Sequence, residues 1–447
     1  MHRIAISGLV ALAAVLGGVA VPAAAMAQPA AAVRPASAVA ARTADAAFTT
    51  SATLTPLIAR VADNGEIDSG QPLISCVLTT DCLGVQGGAA IEGGTGTPVG
   101  VARWNGSSWK GVRFALPKGA SAADLNDVSC KGAKSCLVVG DYYTSTNGDD
   151  DTHALALIYN GTSLRPTPAV PLPKGATDAS LIDVSCLSST HCVALGQADG
   201  NVPVHGAYSP LTLIETWNGK KWTVRTVDAS SATASTDVTD LSCATSAFCV
   251  LTGEITPFAG SGAGNSKLYL ASWNGKKLTT MKMAAGASAE PAPISVSCAT
   301  PSNCALTGYY LFQGGVNSPP SVTSFTEIWN GKVWRLAKVT WPAGLPATAL
   351  FGVSCYGAHS CEAVGLDGMS LYTPLRAAAV SFTGTASKVQ AVPAPGRGDE
   401  NMFSGVSCLP WGSCVAVGET GSASSENPNA VMTGIWNGKA WQLKPGF

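Results

Sequence analysis

Short apolar runs separated by polar clusters and glycine recur from residue 73 onward, and residues 181–227 show the pattern plainly. "LIDVSC" runs into Cys186 and "CVALG" runs out of Cys192, with "LSSTH" between them. Both runs are short and β-prone and the polar middle reads as a turn, which predicts strands A and B of a hairpin. "LTLIETW" and "WTVRTV" come next as strands C and D, joined at Asn218-Gly219. Asn-Gly is a strong hairpin signal because a type I′ turn needs positive φ at both central residues. In such a two-residue loop Trp217 faces Lys220, and Trp222 shares its face diagonally opposite, within aromatic reach.

The same unit returns along the chain. Cysteines pair in sequence at Cys76/Cys82, Cys130/Cys136, Cys186/Cys192, Cys243/Cys249, Cys298/Cys304, Cys355/Cys361 and Cys408/Cys414, always with five residues between partners. Successive first cysteines lie 53 to 57 residues apart. About thirty positions after each cysteine pair comes an aromatic-rich turn: Trp104, Trp217, Trp273, Trp329 and Trp436 open "WNG", while Tyr159 and Phe382 open "YNG" and "FTG". A period of this length built from short strands predicts an all-β, seven-bladed β-propeller with four antiparallel strands per blade. Facing residues at the open ends of an A–B hairpin lie about 5.5 Å apart, inside the disulfide range, so one disulfide is expected within every blade. Thiolate zinc sites and C-x-x-C redox pairs fit the spacing less well, and the five histidines show no metal spacing.

The first residues change the compartment. "MHR", an apolar run and an Ala-x-Ala-like end predict a signal peptide over 1–27, followed by an Ala-rich linker or pro-segment over 28–52 and the propeller over 53–447. Export would account for fourteen cysteines as disulfides. The expected localisation is secreted and extracellular, and no later run is long enough to span a bilayer. With 27 Lys plus Arg against 28 Asp plus Glu and no basic stripe, nucleic acid is not an expected partner.

Topology then sorts the loops. With A innermost, A–B and C–D turns share one monotonous face, whereas the B–C and D–A connections on the other vary widely; loops on a rigid scaffold are where binding resides. Asp127, Asp183 and Asp240 stand three residues before the first cysteine in three consecutive repeats, and Asp141, Gln197, Glu254 and Glu419 lie at the far ends of B strands. These side chains suit a cation site, calcium being the cofactor the pattern allows, or acceptors for sugar hydroxyls; the alternative is that the aspartates take backbone N–H groups of the neighbouring blade. Aromatic rings accompany them: Tyr142, Tyr143, Tyr208, Phe258, Tyr309, Tyr310, Phe312 and Tyr372. Tyr142, Tyr309 and Tyr310 join the candidate ligand-binding set. Neither G-x-S-x-G, H-E-x-x-H nor a phosphate loop occurs, so the expectation is a protein that is not an enzyme.

The phrase V-S-C, five residues, C-x-A-V-G, then W-N-G-x-x-W resembles the repeat of secreted actinobacterial β-propellers, with "VSCYGAHSCEAVG" and "VSCLPWGSCVAVG" its clearest copies. The likeness spans nearly all of residues 73–447. It implies a lectin-like module, similar to the targeting subunits of umbrella-shaped antibacterial toxin particles. The expected function is recognition of carbohydrate or another cell-surface glycan through the variable-loop face. The alternatives are a polysaccharide-degrading glycosidase or lyase using the mouth carboxylates, and an interaction scaffold in an extracellular protein complex.

Overall fold

The computed structural model describes residues 60–61, 67–68, 73–86, 100–146, 149–200, 210–227, 229–231, 234–257, 266–284, 290–312, 321–342, 348–367, 375–396, 399–422 and 430–444. Both the leader and the linker expected from the sequence lie outside them, as do the centres of several variable loops with Tyr208, Phe258 and Tyr372.

Each repeat folds as an antiparallel meander of four strands. In the third repeat these are Ala176–Ser188, His191–Gly200, Leu211–Trp217 and Trp222–Val227, paired in sequence order. All seven expected disulfides form inside their own repeats. Their Cα atoms stand 3.9–4.0 Å apart, closer than the 5.5 Å expected. The cysteines face each other directly across strands A and B, with a register shift just beyond, and a close-set pair brings the sulfurs together.

The bridges are also deeper than the open end of a hairpin would place them. Cys249, Cys304 and Cys414 are fully buried and Cys361 is 1% exposed. Each of the four sits opposite the aromatic residue that opens the C–D turn, Trp273, Trp329, Trp436 and Phe382 respectively, because strand B lies between A and C. Cys249 packs with Trp273, Cys304 with Trp334, Cys361 with Phe382, and Cys414 with Trp436 and Trp441. These cysteines are therefore core residues that fill space between strands, and they offer no surface to a ligand or a reductant.

The C–D turn differs from expectation as well. Trp217 lies directly opposite Trp222, ring centroids 5.3 Å apart, not diagonally. The loop therefore holds four residues, with Gly219, at φ 85°, as its first central position. Asn218 flanks the turn instead of occupying its centre, and its Oδ1 accepts the N–H groups of Lys220 and Lys221 at 3.0 and 2.9 Å. The carboxamide thus replaces the missing backbone acceptor, and Asn105, Asn160, Asn274, Asn330 and Asn437 do the same.

Seven separate four-stranded blades are not what forms. Five sheets stand apart as blades, four of them four-stranded and one five-stranded, while the fifth and sixth repeats join into one eight-stranded sheet. Thr323 bridges to Thr348 across that junction, and the Thr348 hydroxyl hydrogen-bonds the Ser324 hydroxyl at 2.9 Å. In the five-stranded sheet, Arg113–Phe114 adds in parallel beside Ser163 and Leu164 of the next repeat.

Packing closes the array into a circle. The serine before each first cysteine accepts the N–H of the next repeat's first cysteine at 2.9–3.0 Å: Ser75 from Cys130, Ser129 from Cys186, and so on round to Ser407 from Cys76. Last and first repeats share a core of Leu409, Val415 and Val417 with Ile74, Cys76, Ala102, Trp104 and Trp109, and Trp109 Nε1 donates to Thr433 Oγ1 at 2.9 Å. The four strands of each repeat come from contiguous sequence, so no strand from the N-terminal side is needed to complete the last sheet. Arg60–Val61 pairs with Ile67–Asp68 as a separate ribbon.

Candidate functional site

Strand A carries a one-residue irregularity in repeats two to seven. In the second repeat the register jumps between Leu125 and Asp127, leaving Asn126 as the extra residue. Opposite sits Gly140, and a Cβ there would lie 2.0 Å from the Asp124 carbonyl oxygen; Gly253, Gly365 and Gly418 are confined alike. Bulges re-aim the side chains next to them.

In repeats two to four the residue just past the bulge is an aspartate. Asp127 Oδ2 accepts the Val184 N–H at 2.9 Å, Asp183 Oδ2 that of Leu241 at 2.6 Å, and Asp240 Oδ2 that of Val296 at 2.9 Å. Asp183 is also in hydrogen-bonding contact with both Asp127 and Asp240. The three are thus bonded to the next repeat and to one another, midway along the inner strands and not at their loop ends. Burial pushes Asp127 up to about 6, against the Asp183 contact, and holds Asp183 and Asp240 well above the ordinary range, Asp127 adding to the rise at Asp183 and Asp183 to that at Asp240. Among the described residues no group of three or more His, Cys, Asp and Glu is arranged to hold a metal ion.

The B-strand set divides round the ring. Asp141 faces Asp124, Gln197 faces Ser180 and Glu254 faces Asp237, so polar pairs mark repeats two to four. In repeats five and six the same position holds Tyr309 opposite Ala292 and Leu366 opposite Ala349. Tyr309, expected at an exposed loop, is 1% exposed and packs with Ala349, Phe351 and Leu366; its phenol is pushed up to about 12, by burial first. Tyr310 lies against Phe325, ring centroids 4.7 Å apart, and Glu419 is buried opposite Met402. These three are drawn into the fold by packing that pattern alone does not reveal.

Chemistry concentrates between repeats two and three. Tyr143 Oη donates to Asp124 Oδ2 at 2.7 Å and also engages Asp141, bridging the two carboxyls. Asp141 Oδ1 accepts from Ser180 Oγ at 2.7 Å and from Asn126 Nδ2 at 3.3 Å, while Asn126 also donates to the Leu181 carbonyl at 2.7 Å. Burial, then the charge of Asp124, raises Asp141, although the Ser180 and Tyr143 hydrogen bonds oppose the rise; burial and both carboxyls raise Tyr143. Asp124 Oδ1 is enclosed and has no hydrogen-bond partner. Beside this group the Tyr142 and His153 rings stack with centroids 4.9 Å apart, and His153 Nε2 meets Thr144 Oγ1 at 2.8 Å. Sequence reading singled out Asp141 and Tyr142; it passed over Asp124, Asn126, His153 and Ser180, whose signal lies in the bulge that turns Asn126 toward the next repeat.

No family profile and no curated protein matches the sequence. Among solved structures, an ulvan lyase representing a new polysaccharide lyase family aligns over 85% of this chain and 96% of its own, at TM-score 0.52 and 9% identity. The same lyase bound to -[GlcA(1-4)Rha3S]- gives the same coverage and score at 10% identity. An α-L-arabinanase of Penicillium chrysogenum complexed with arabinobiose aligns over 75% of this chain and 98% of its own, at TM-score 0.45 and 12% identity. At such identities the likeness to the ulvan lyase, at TM-score 0.52, bears on the fold alone. It still corrects the expectation of a protein that is not an enzyme: that fold carries a polysaccharide lyase, so missing hydrolase and protease motifs are no ground for excluding catalysis. Seven disulfides indicate an oxidising environment, and no helix among the described residues is long and apolar enough to cross a membrane.

Proposed function

We propose that this is a secreted carbohydrate-active propeller that binds and cleaves a polysaccharide at the loop end of repeats two and three. We count the eight-stranded sheet as two fused blades in a wheel of seven. The observation carrying the reading is the Asp124–Tyr143–Asp141 chain: two carboxyls joined through a phenol, one held toward its protonated form and the other with an enclosed oxygen lacking a partner. A buried carboxyl held toward its protonated form beside a second carboxyl is the starting arrangement for acid chemistry on a glycoside. Asp141 acts as the proton donor, Asp124 as the second carboxylate, and the Tyr142–His153 pair as the platform for a sugar ring. Carbohydrate-acting propellers among the structural neighbours support the substrate class.

Incubating the oxidised protein with plant, algal and bacterial polysaccharides, with and without calcium, and following new reducing ends and unsaturated products tests this. Release of oligosaccharides by the wild type, reduced at least about 100-fold in Asp141→Asn, is the expected result. A correctly folded protein that releases nothing from any polymer but is retained on a glycan array would overturn cleavage. It would leave a lectin-like module, the reading that the Tyr142–His153 platform and the repeat phrase favour next.

A further inference from the structure

A second feature lies on the opposite face, at the outer edge where repeats four and five meet. A groove of about 480 Å³ runs there between the segment Thr280–Met283 and the C–D hairpin of repeat five. Its volume falls within the roughly 300–1,000 Å³ of small-ligand sites. Trp334 lines it, only 3% exposed, with an indole N–H that has no hydrogen-bond partner.

Comparison between repeats explains that orphan. Trp222, the same residue two repeats earlier, donates to Thr167 Oγ1 at 2.9 Å. Thr167 and Met281 occupy one structural position: the Thr167 N–H donates to Ala156 O and the Met281 N–H to Leu270 O, each at 2.9 Å. A methionine thus stands where Trp222 finds its hydroxyl, and the enclosed Trp334 N–H, like that of Trp441, is left without a partner beside the groove. Such groups are otherwise satisfied in folded proteins. Trp329, next to it at 5.6 Å, is half-buried where Trp104, Trp217, Trp273 and Trp436 are buried, and its own N–H is already bound to the Pro301 carbonyl. It therefore offers ring surface rather than a donor.

Charge specifies the occupant. Lys282 and Lys332 line the groove, and among the described residues no carboxylate does. The C–D turns around the ring carry Lys220, Lys221, Lys276, Lys277, Lys332 and Lys439, all exposed, and no Asp or Glu. We infer that this groove binds an acidic saccharide, one sugar ring lying on Trp329 and the carboxylate or sulfate held by Lys282 and Lys332. The wheel then has a polymer-anchoring face opposite its proposed cleaving face, independent of whether cleavage occurs.

Oligogalacturonate of defined length is the probe, titrated into the full oxidised protein by calorimetry, with dextran oligomers and duplex DNA as neutral and polyanionic controls. The expected result is saturable binding to oligogalacturonate alone, weakened at least about 10-fold by Lys282→Glu with Lys332→Glu and by Trp329→Ala. Met281→Thr, which restores the acceptor present in Thr167, is expected to raise Tm. Equal binding of DNA, binding of dextran, retention by the double lysine variant, or no binding by the wild type would each overturn the inference. Product release is scored separately over the polysaccharide panel and with Asp141→Asn: oligogalacturonate binding with no product from any polymer rejects the loop-face reading and keeps this one, and product without such binding does the reverse.

Discussion

Single atoms decide much of this protein. The glycine closing each "AVG"-like phrase leaves room for a carbonyl: at Gly365 a Cβ would sit 1.9 Å from Ala349 O, a backbone atom that cannot swing away. Gly365→Ala is expected to cost about 2–3 kcal/mol or more, read by urea denaturation, because strand B must part from strand A. Glu215 gives a second test. It is fully buried, neither carboxyl oxygen has a hydrogen-bond partner, and burial pushes its pKa up to about 8 from 4.5. The folded state therefore holds the proton through a window in which the unfolded chain has released it, so stability falls as pH rises from about 4.5 to about 8. Glu362, also raised to about 8, and Asp127, raised to about 6, act in the same sense. Melting curves at pH 5, 6.5 and 8 should show Tm falling with pH, and less steeply in Glu215→Gln.

At the level of elements, each hairpin carries its own clasps. The disulfide ties A to B, the Asn-Gly turn ties C to D, and the two turns touch: Trp104 Nε1 donates to Thr79 O at 3.0 Å, and Gly219 lies against Thr190. A bridge across six residues closes a short loop, so removing one by Cys186→Ser with Cys192→Ser is expected to cost about 2 kcal/mol, measurable as a lower denaturant midpoint. The ordered hairpin remains because Trp217 and Trp222 still bury against the preceding repeat. Non-reducing peptide maps should return only within-repeat bridges.

For the whole molecule the decisive contact is between its last and first repeats. Ser407 to Cys76 and Thr433 to Trp109 complete the circle of hydrogen bonds, and an apolar core seals it. Deleting residues 1–61 should leave Tm unchanged, because the described strands close without them; a drop of several degrees would mean that the N-terminal segment latches the ring. Ser407→Ala, by contrast, is expected to cost about 1 kcal/mol, since a buried N–H loses its acceptor.

By itself the sequence determined the repeat, its four strands, its sulfur pairing and which turns share a face, because these depend on local spacing: five residues between cysteines, a tight Asn-Gly turn, short β-prone runs. Interactions between repeats were not legible in that way. Tyr309 reads as a loop aromatic and is core, Thr323 with Thr348 fuses two sheets that look separate in the chain, and Asp127, Asp183 and Asp240, which the sequence allows either as a ligand site or as acceptors for the neighbouring repeat's backbone, take the second role. Asp124, Tyr143 and Asp141 become one group, and Trp334 loses its partner, only when a bulge or a neighbouring repeat sets the distance. Periodicity records what each segment does to itself; what one repeat does to the next depends on side-chain reach across an interface, which only the closed ring fixes.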